Sequence, residues 1–332
     1  MGGRREISAG DFCLRRCWIF AAMLIATPFA FGADGIQATP EGMQKAPSIH
    51  VNVRLVNVFV NVTNATGAPV SGLKQEDFSV TEDGCPQKVS YFEQETNVPL
   101  SIVMAIDTSG STRKDLPLEK MTARDFIHSL LRPEDRLDLM DFNSDVREVV
   151  PFTANVRRID AGLNDLDVGP ATALYDAIDL ASESLAKQRG RKVLVVISDG
   201  GNTATENSVD YPQALEAARR ADAMVYSIID LPILADAGRD EDGEHAMITM
   251  SEETGGQYFY ANSGNLRGAF AKVSEALRSQ YLLGYYPSAC SNDIAAPRTL
   301  YRTISVMLTH PAAADGPYKV QNRTGYYPGA AQ

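Results

Sequence analysis

Asp107, Ser109 and Ser111 occupy alternate positions in "AIDTSGST", directly after an apolar run. Further along, Thr172 lies in "GPATAL" and Asp199 in "SDGGNT". Two carboxylates and three hydroxyls are oxygen donors only, and a hard divalent cation such as Mg²⁺ takes donors of that kind while keeping some of its water. Taken singly, each residue also has a plain structural role. Asp107 and Ser109 suit helix caps, Thr172 an N-cap, and Asp199-Gly200 a turn. Capping alone, however, does not require three separate segments to carry oxygen ligands at one edge.

The elements around these residues predict that they do meet. "LSIVMAI" is a near-continuous apolar strand of the kind buried in parallel sheets, and Asp107 ends it. "KVLVVIS" is another, with Asp199 directly after it, and "MVYSIID" is a third. Helices are expected over 115–131, 155–166, 244–253 and 266–279, with further helices in "TALYDAIDLASESLA" and "YPQALEAARRA". In the first of these two, Leu174, Ile178, Ala181 and Leu185 form one apolar face. "RLDLMDF" and "REVVPF" read as a hairpin, and "QYFYA" as a short strand. Strands alternating with helices imply an α/β fold, a doubly wound, mostly parallel, Rossmann-like sheet covered on both faces. Functional groups of such sheets collect at the carboxyl ends of the strands, where Asp107, Thr172 and Asp199 fall.

Outside this region the pattern is β. "VRLVNVFVNVT" is Val-rich and partly alternating, and "FSVTEDGCPQKVSYFE" reads as two strands around Asp83-Gly84, a strong hairpin signal. "QYLLGYYP", "YRTISVML" and "YKVQNRTGYY" read as three more strands at the other end. Neither group can form a core by itself. One smaller, sandwich-like β domain built from both ends, with the α/β domain inserted, is the economical arrangement. The resulting division is a signal peptide over 1–32, a flexible leader over 33–48, β segments over 49–97 and 279–328, and the α/β domain over 98–278.

The signal peptide is expected from Arg4, Arg5, Arg15 and Arg16, the apolar run "CWIFAAMLIATPFAF", and Ala30 and Gly32 at the small-residue positions of a cleavage site. That run is shorter than the roughly 20 residues of a spanning helix. The reading implies export, to the periplasm, the cell surface or the medium, with an uncleaved anchor as the alternative. Cleavage would leave Cys85 and Cys290, a pair expected to form a disulfide in an oxidising compartment. The formal charge of −11 excludes the basic face that nucleic acid requires. Acidic "ADAGRDEDGE" lacks EF-hand spacing and reads as a solvated loop.

Catalytic readings find little support. Ser109 stands where a dehalogenase-type phosphotransferase needs a second Asp, and His50, His128, His245 and His310 fall away from the strand ends. A metal-activated hydrolase would want more carboxylate or His ligands. No Walker or dinucleotide glycine loop is present. The chain is read as a non-enzyme.

Asp107-Thr-Ser109-Gly-Ser111 resembles the DxSxS motif of von Willebrand factor type A domains, and Thr172 and Asp199 match the later threonine and aspartate of that family. The resemblance covers about residues 98–278. It implies a metal-ion-dependent adhesion site in which Ser109, Ser111 and Thr172 touch the cation, while Asp107 and Asp199 act directly or through water. The cation would be Mg²⁺, with Mn²⁺ or Ca²⁺ as alternatives, and its open position would accept an Asp or Glu from a protein partner. A purely structural cation, or a metal-dependent hydrolase, are the competing readings. The whole chain is similar to the VWFA-related group known mainly from Acidobacteria, through "GLKQEDFSVTEDGCPQKVSYF" and the closing "GYYP".

Overall fold

The computed structural model describes residues 55–94, 97–204, 208–230, 240–288, 300–309 and 317–328. The signal peptide and leader, Cys290 and residues 235–239 lie outside them, whereas 240–244, expected as part of a solvated loop, are the N-cap and first turn of a helix, Asp240 accepting the Gly243 N–H. Residues 52–332 form one compact unit.

Eight residues of Leu100–Asp107 (β5) and eight of Arg191–Ser198 (β8) are all buried, as are the seven of Met224–Asp230 (β9) once numbered in chain order. Before them come β1 (Val56–Thr63), β2 (Phe78–Glu82), β3 (Cys85–Gln87) and β4 (Val89–Gln94). Between β5 and β8 lie α1 (Leu116–Leu130), β6 (Arg136–Phe142), β7 (Val146–Thr153), α2 (Val156–Asn164) and α3 (Leu174–Ala186). After β8 come α4 (Tyr211–Ala221), β9, α5 (Glu241–Thr254), β10 (Tyr258–Ala261) and α6 (Leu266–Arg278). The chain closes with β11 (Tyr281–Tyr285), β12 (Arg302–Leu308), β13 (Lys319–Gln321) and β14 (Gly325–Tyr326).

The central sheet has the order β10-β9-β8-β5-β6-β7, parallel except for β7, which runs antiparallel to β6. Side chains alternate across it with period two. Ile102, Met104, Ile106, Val193, Val195 and Ile197 face α1, α2 and α6. Val103, Ala105, Leu194 and Val196 face α3, α4 and α5. Burial on both faces is why these strands read as continuous apolar runs. Chain order reverses at β5, whose neighbours are β6 on one side and β8 on the other, so the crevice of this sheet opens between the ends of β5 and β8.

Two antiparallel sheets flank it, ordered β13-β1-β11-β4 and β14-β12-β2-β3. Each takes strands from both ends of the chain, and their facing Val56, Val58, Val60, Val80, Leu283, Ile304 and Val306 share one core. Phe78 of one sheet and Tyr281 of the other bring ring centroids to 5.2 Å.

Two expected strands each prove to be a pair. At Asp83 (φ 49°) and Gly84 (φ 78°) the hairpin turns through the left-handed region, as its sequence predicts. β3 then pairs with β2 for only three residues, and beyond Lys88 the chain passes to the other sheet as β4, against β11. "YKVQNRTGYY" likewise divides into β13, paired with β1, and β14, paired with β12. Both segments are corners between the layers of the sandwich.

Candidate cation site at the ends of β5 and β8

Asp107 ends β5 with 0% of its surface exposed. Its Oδ1 accepts the Ser109 N–H at 2.8 Å and its Oδ2 accepts the Ser198 hydroxyl at 2.6 Å. Ser198, the last residue of β8, in turn accepts the Gly200 N–H at 3.1 Å. The Ser109 and Ser111 hydroxyls lie 3.0 Å apart. Thr112 closes the turn, its hydroxyl donating to the carbonyls of Asp107 and Ser109 at 3.0 and 3.1 Å. Asp199 Oδ1 accepts the Gly201 N–H at 3.1 Å, an Asx turn.

Thr172 precedes α3, whose N-cap is Ala173. It is clamped to the loop beyond Asp199: its N–H donates to the Thr203 hydroxyl at 2.9 Å, and its carbonyl accepts the N–H groups of Thr203 and Ala204 at 2.9 and 3.0 Å. Its own hydroxyl enters none of the described hydrogen bonds. The segment before it reaches the first loop, where the Gly169 N–H donates to the Thr108 carbonyl at 2.9 Å. Backbone bonds thus join the middle loop to each of the other two, while the first and third meet through the side chains of Asp107 and Ser198.

The capping roles open to these residues are not filled. The N-cap of α1 is Asp115, that of the short 3₁₀ turn before it is Ser111, and neither makes a side-chain capping bond. Asp107 and Ser109 cap no helix, and neither does Thr172.

Three further carboxyl groups gather here that the sequence pattern did not single out as ligands: Asp115, Glu119 of α1, and Asp230 at the end of β9. Glu119 is 1% exposed, and neither of its oxygens has a hydrogen-bond partner. Burial, reinforced by the charges of Asp230, Asp107, Asp115 and Asp199, pushes its carboxyl up to about 9. Asp230 is raised to about 6 by burial and by Asp115 and Asp199. Asp107 is also raised to about 6, by burial and the Asp199 charge, against the lowering effect of its bonds from Ser198 and Ser109. None of the described ion pairs involves any of these five acids. Both signals were present in the sequence. Glu119 lies three residues after Leu116 and four before Ala123, on the apolar stripe of α1, and Asp230 ends a buried strand as Asp107 does.

The donor set therefore fits a hard cation in kind: oxygen throughout, negative in sum, and outside the described ion pairs. Among the described residues no three His, Cys, Asp or Glu side chains form a metal-ligand group. His128 is turned away from the site, its ring bonded to Asp160 at 3.0 Å.

Residues 102–202 match the family described as von Willebrand factor type A domain. The α/β fold is of that type. The matched stretch runs from inside β5 to just beyond Asp199, so it contains Asp107, Ser109, Ser111, Thr172 and Asp199. No curated protein matches the chain. Solved structures similar to it include the conserved hypothetical protein BatB from Bacteroides thetaiotaomicron, at 20% identity and TM-score 0.40 over 53% of this chain and 99% of that one. An aerotolerance-related membrane protein from Bacteroides fragilis is similar at 21% identity and TM-score 0.42, over 53% and 98% of the two chains. The vWF domain of the type V pili tip protein Mfa5 from Porphyromonas gingivalis is similar at 13% identity and TM-score 0.42, over 54% and 95%. Likenesses of this size carry no argument about function.

Proposed function

We propose that the type A domain is a cation-dependent protein-binding module, with Asp107, Ser109, Ser111, Thr172 and Asp199 holding Mg²⁺ and an acidic side chain of a partner completing its coordination. The observation that carries this reading is the electrostatic one. Five acids crowd one sheet edge, none of them in a described ion pair, beside hydroxyls of Thr172 and Ser111 that serve no cap. A divalent cation would relieve that repulsion and still keep an outward position for a carboxylate, a charged ligand that displaces water favourably at an exposed ion. Arg113 and Lys114, both exposed and directly after Ser111, add attraction for an acidic partner. The backbone clamps among the three loops argue against a cation needed only to hold those loops together.

In this reading the protein is exported through residues 1–32 and is not an enzyme. Cys85 pairs with Cys290, a pairing supported by the pinning of Ser288 to Gln87. The Ser288 N–H donates to Gln87 Oε1 at 2.8 Å, and Gln87 Nε2 donates to the Ser288 carbonyl at 2.9 Å. Kinship with the VWFA-related group rests on the flanking "GLKQEDFSVTEDGCPQKVSYF" and "GYYP" segments.

The test is calorimetric titration of Mg²⁺, Mn²⁺ and Ca²⁺ into protein beginning at residue 33. Saturable one-site binding is expected, abolished in Asp107→Ala and weakened about tenfold or more, roughly 1.4 kcal/mol, in Thr172→Ala. Absence of any metal-dependent heat or thermal shift in folded wild type would end the adhesion reading.

A further inference from the structure

Two short crossings join the flanking sheets to the α/β part: residues 97–99 before β5, and residues 279–280 between α6 and β11. Both border a cavity of about 500 Å³ whose wall includes Asn97, Ser279, Arg132, Arg191 and Arg278. It lies at the amino ends of β5 and β8, the edge of the sheet opposite Asp107.

Arg191 opens β8 and is 4% exposed. Its Nη1 donates to the Leu277 carbonyl at 2.7 Å and to Gln280 Oε1 at 2.9 Å, both neutral acceptors. Its Nε is shut off from solvent without a partner. The guanidinium lies 5.6 Å from the Phe59 ring centroid and takes part in none of the described ion pairs. Burial lowers its pKa to about 10, which leaves it a cation at neutral pH.

The charge of Asp135 acts on it, but none of the described ion pairs joins it to an acid of the wall. Asp135 is the nearest in electrostatic effect, but its two oxygens accept the N–H groups of Leu100 and Arg132 at 2.7 and 2.9 Å. Glu134 and Glu275 are exposed. A buried guanidinium lacking an ion-pair partner costs several kcal/mol, and its planar fork fits the oxygens of a carboxylate or phosphate group. Arg132 and Arg278, both exposed, border the same space.

We propose that this cavity binds a small oxyanion, a carboxylate or phosphate group, with Arg191 as the inner anchor and Arg132 and Arg278 at the mouth. The ligand would touch both crossings and so stiffen the junction between the flanking sheets and the α/β part. This site is independent of the cation site, and either can stand without the other.

Calorimetry and thermal denaturation of protein from residue 33, with inorganic phosphate, with succinate, and with chloride as the ionic-strength control, test it. Saturable one-site binding of phosphate or succinate is expected, with no comparable effect of chloride. The anion that binds more tightly identifies the group. Binding should weaken about tenfold in Arg191→Lys, and severalfold in Arg132→Gln and Arg278→Gln. The last two alter exposed side chains and keep the test decisive if Arg191→Lys does not fold. No saturable binding of either anion by folded wild type overturns the proposal, as does binding unchanged in both mouth variants.

Discussion

Glu119 is where a single residue has the most to say about this molecule. A carboxyl raised in the folded state binds its proton more tightly there than in the unfolded chain, so stability falls as pH rises between the two values. For Glu119 that window runs from the ordinary 4.5 to about 9. The penalty is absent below the first value and complete above the second. Glu119→Gln removes the ionisation and keeps the shape. It is expected to raise the Tm of metal-free protein by several degrees at pH 8 and to change it little at pH 4. Equal shifts at both pH values would show that the carboxyl is not strained by charge. Saturating Mg²⁺ should narrow the difference between wild type and variant at pH 8, because the cation neutralises the same field. The Asp107, Thr172 and Asp199 positions were legible from the sequence because strand ends and loops are marked by where apolar runs stop. The Ser198 contact to Asp107 was not, because only register between β5 and β8 puts those two residues side by side.

At the scale of elements, α5 is seated by two glycines. Gly200 takes φ +96°, and a Cβ on Gly243, in the first turn of α5, would lie 1.8 Å from the Gly200 carbonyl oxygen. Backbone meets backbone there, so neither side has a flexible atom to yield. Gly243→Ala should therefore cost about 1–3 kcal/mol, the usual range for forced overpacking, and displace the loop that carries Asp199. Circular dichroism melting would show the first effect and Mg²⁺ calorimetry the second. A variant with unchanged Tm would mean that α5 shifts freely. The β3–β4 corner gives another prediction. Thiol trapping under denaturing, non-reducing conditions should find Cys85 and Cys290 unreactive in exported protein, whereas two free thiols would exclude the bridge. The long strands and all the main helices could be read from periodicity. The divisions at Lys88 and between β13 and β14 could not, because a change of sheet leaves no local pattern. It depends on which layer each short strand finds to pair with, and in the second case on Arg323, buried between β13 and β14.

At the scale of the molecule, Arg323 is one of the ties between the sandwich and the α/β part. It donates through Nη2 to the Asn57 carbonyl of β1 at 2.7 Å and pairs with Asp222, the left-handed residue that ends α4. Asp222 is only half-buried and can be rehydrated, so losing the guanidinium costs chiefly its charge-assisted hydrogen bonds, about 1.5–3 kcal/mol. Arg323→Ala should lower the Tm by several degrees and broaden or split a melting transition expected to be single in wild type. A transition that stays single and at the same temperature would show that the tie is dispensable. The α/β part is also held in a particular way. It leaves the sandwich after β4 and returns as β11, and these two strands are neighbours, with Gln94 opposite Tyr281. Adjacent strands are about 4.8 Å apart. By connectivity the whole α/β part is therefore inserted through one narrow two-stranded stem, which side-chain ties such as Arg323–Asp222 and Gln321–Glu252 reinforce. A pull applied through residues 55 and 328 is resisted first by the pairing of the sandwich strands. The hydroxyls and carboxylates at the far ends of β5 and β8 stay out of the load path until that stem is unzipped.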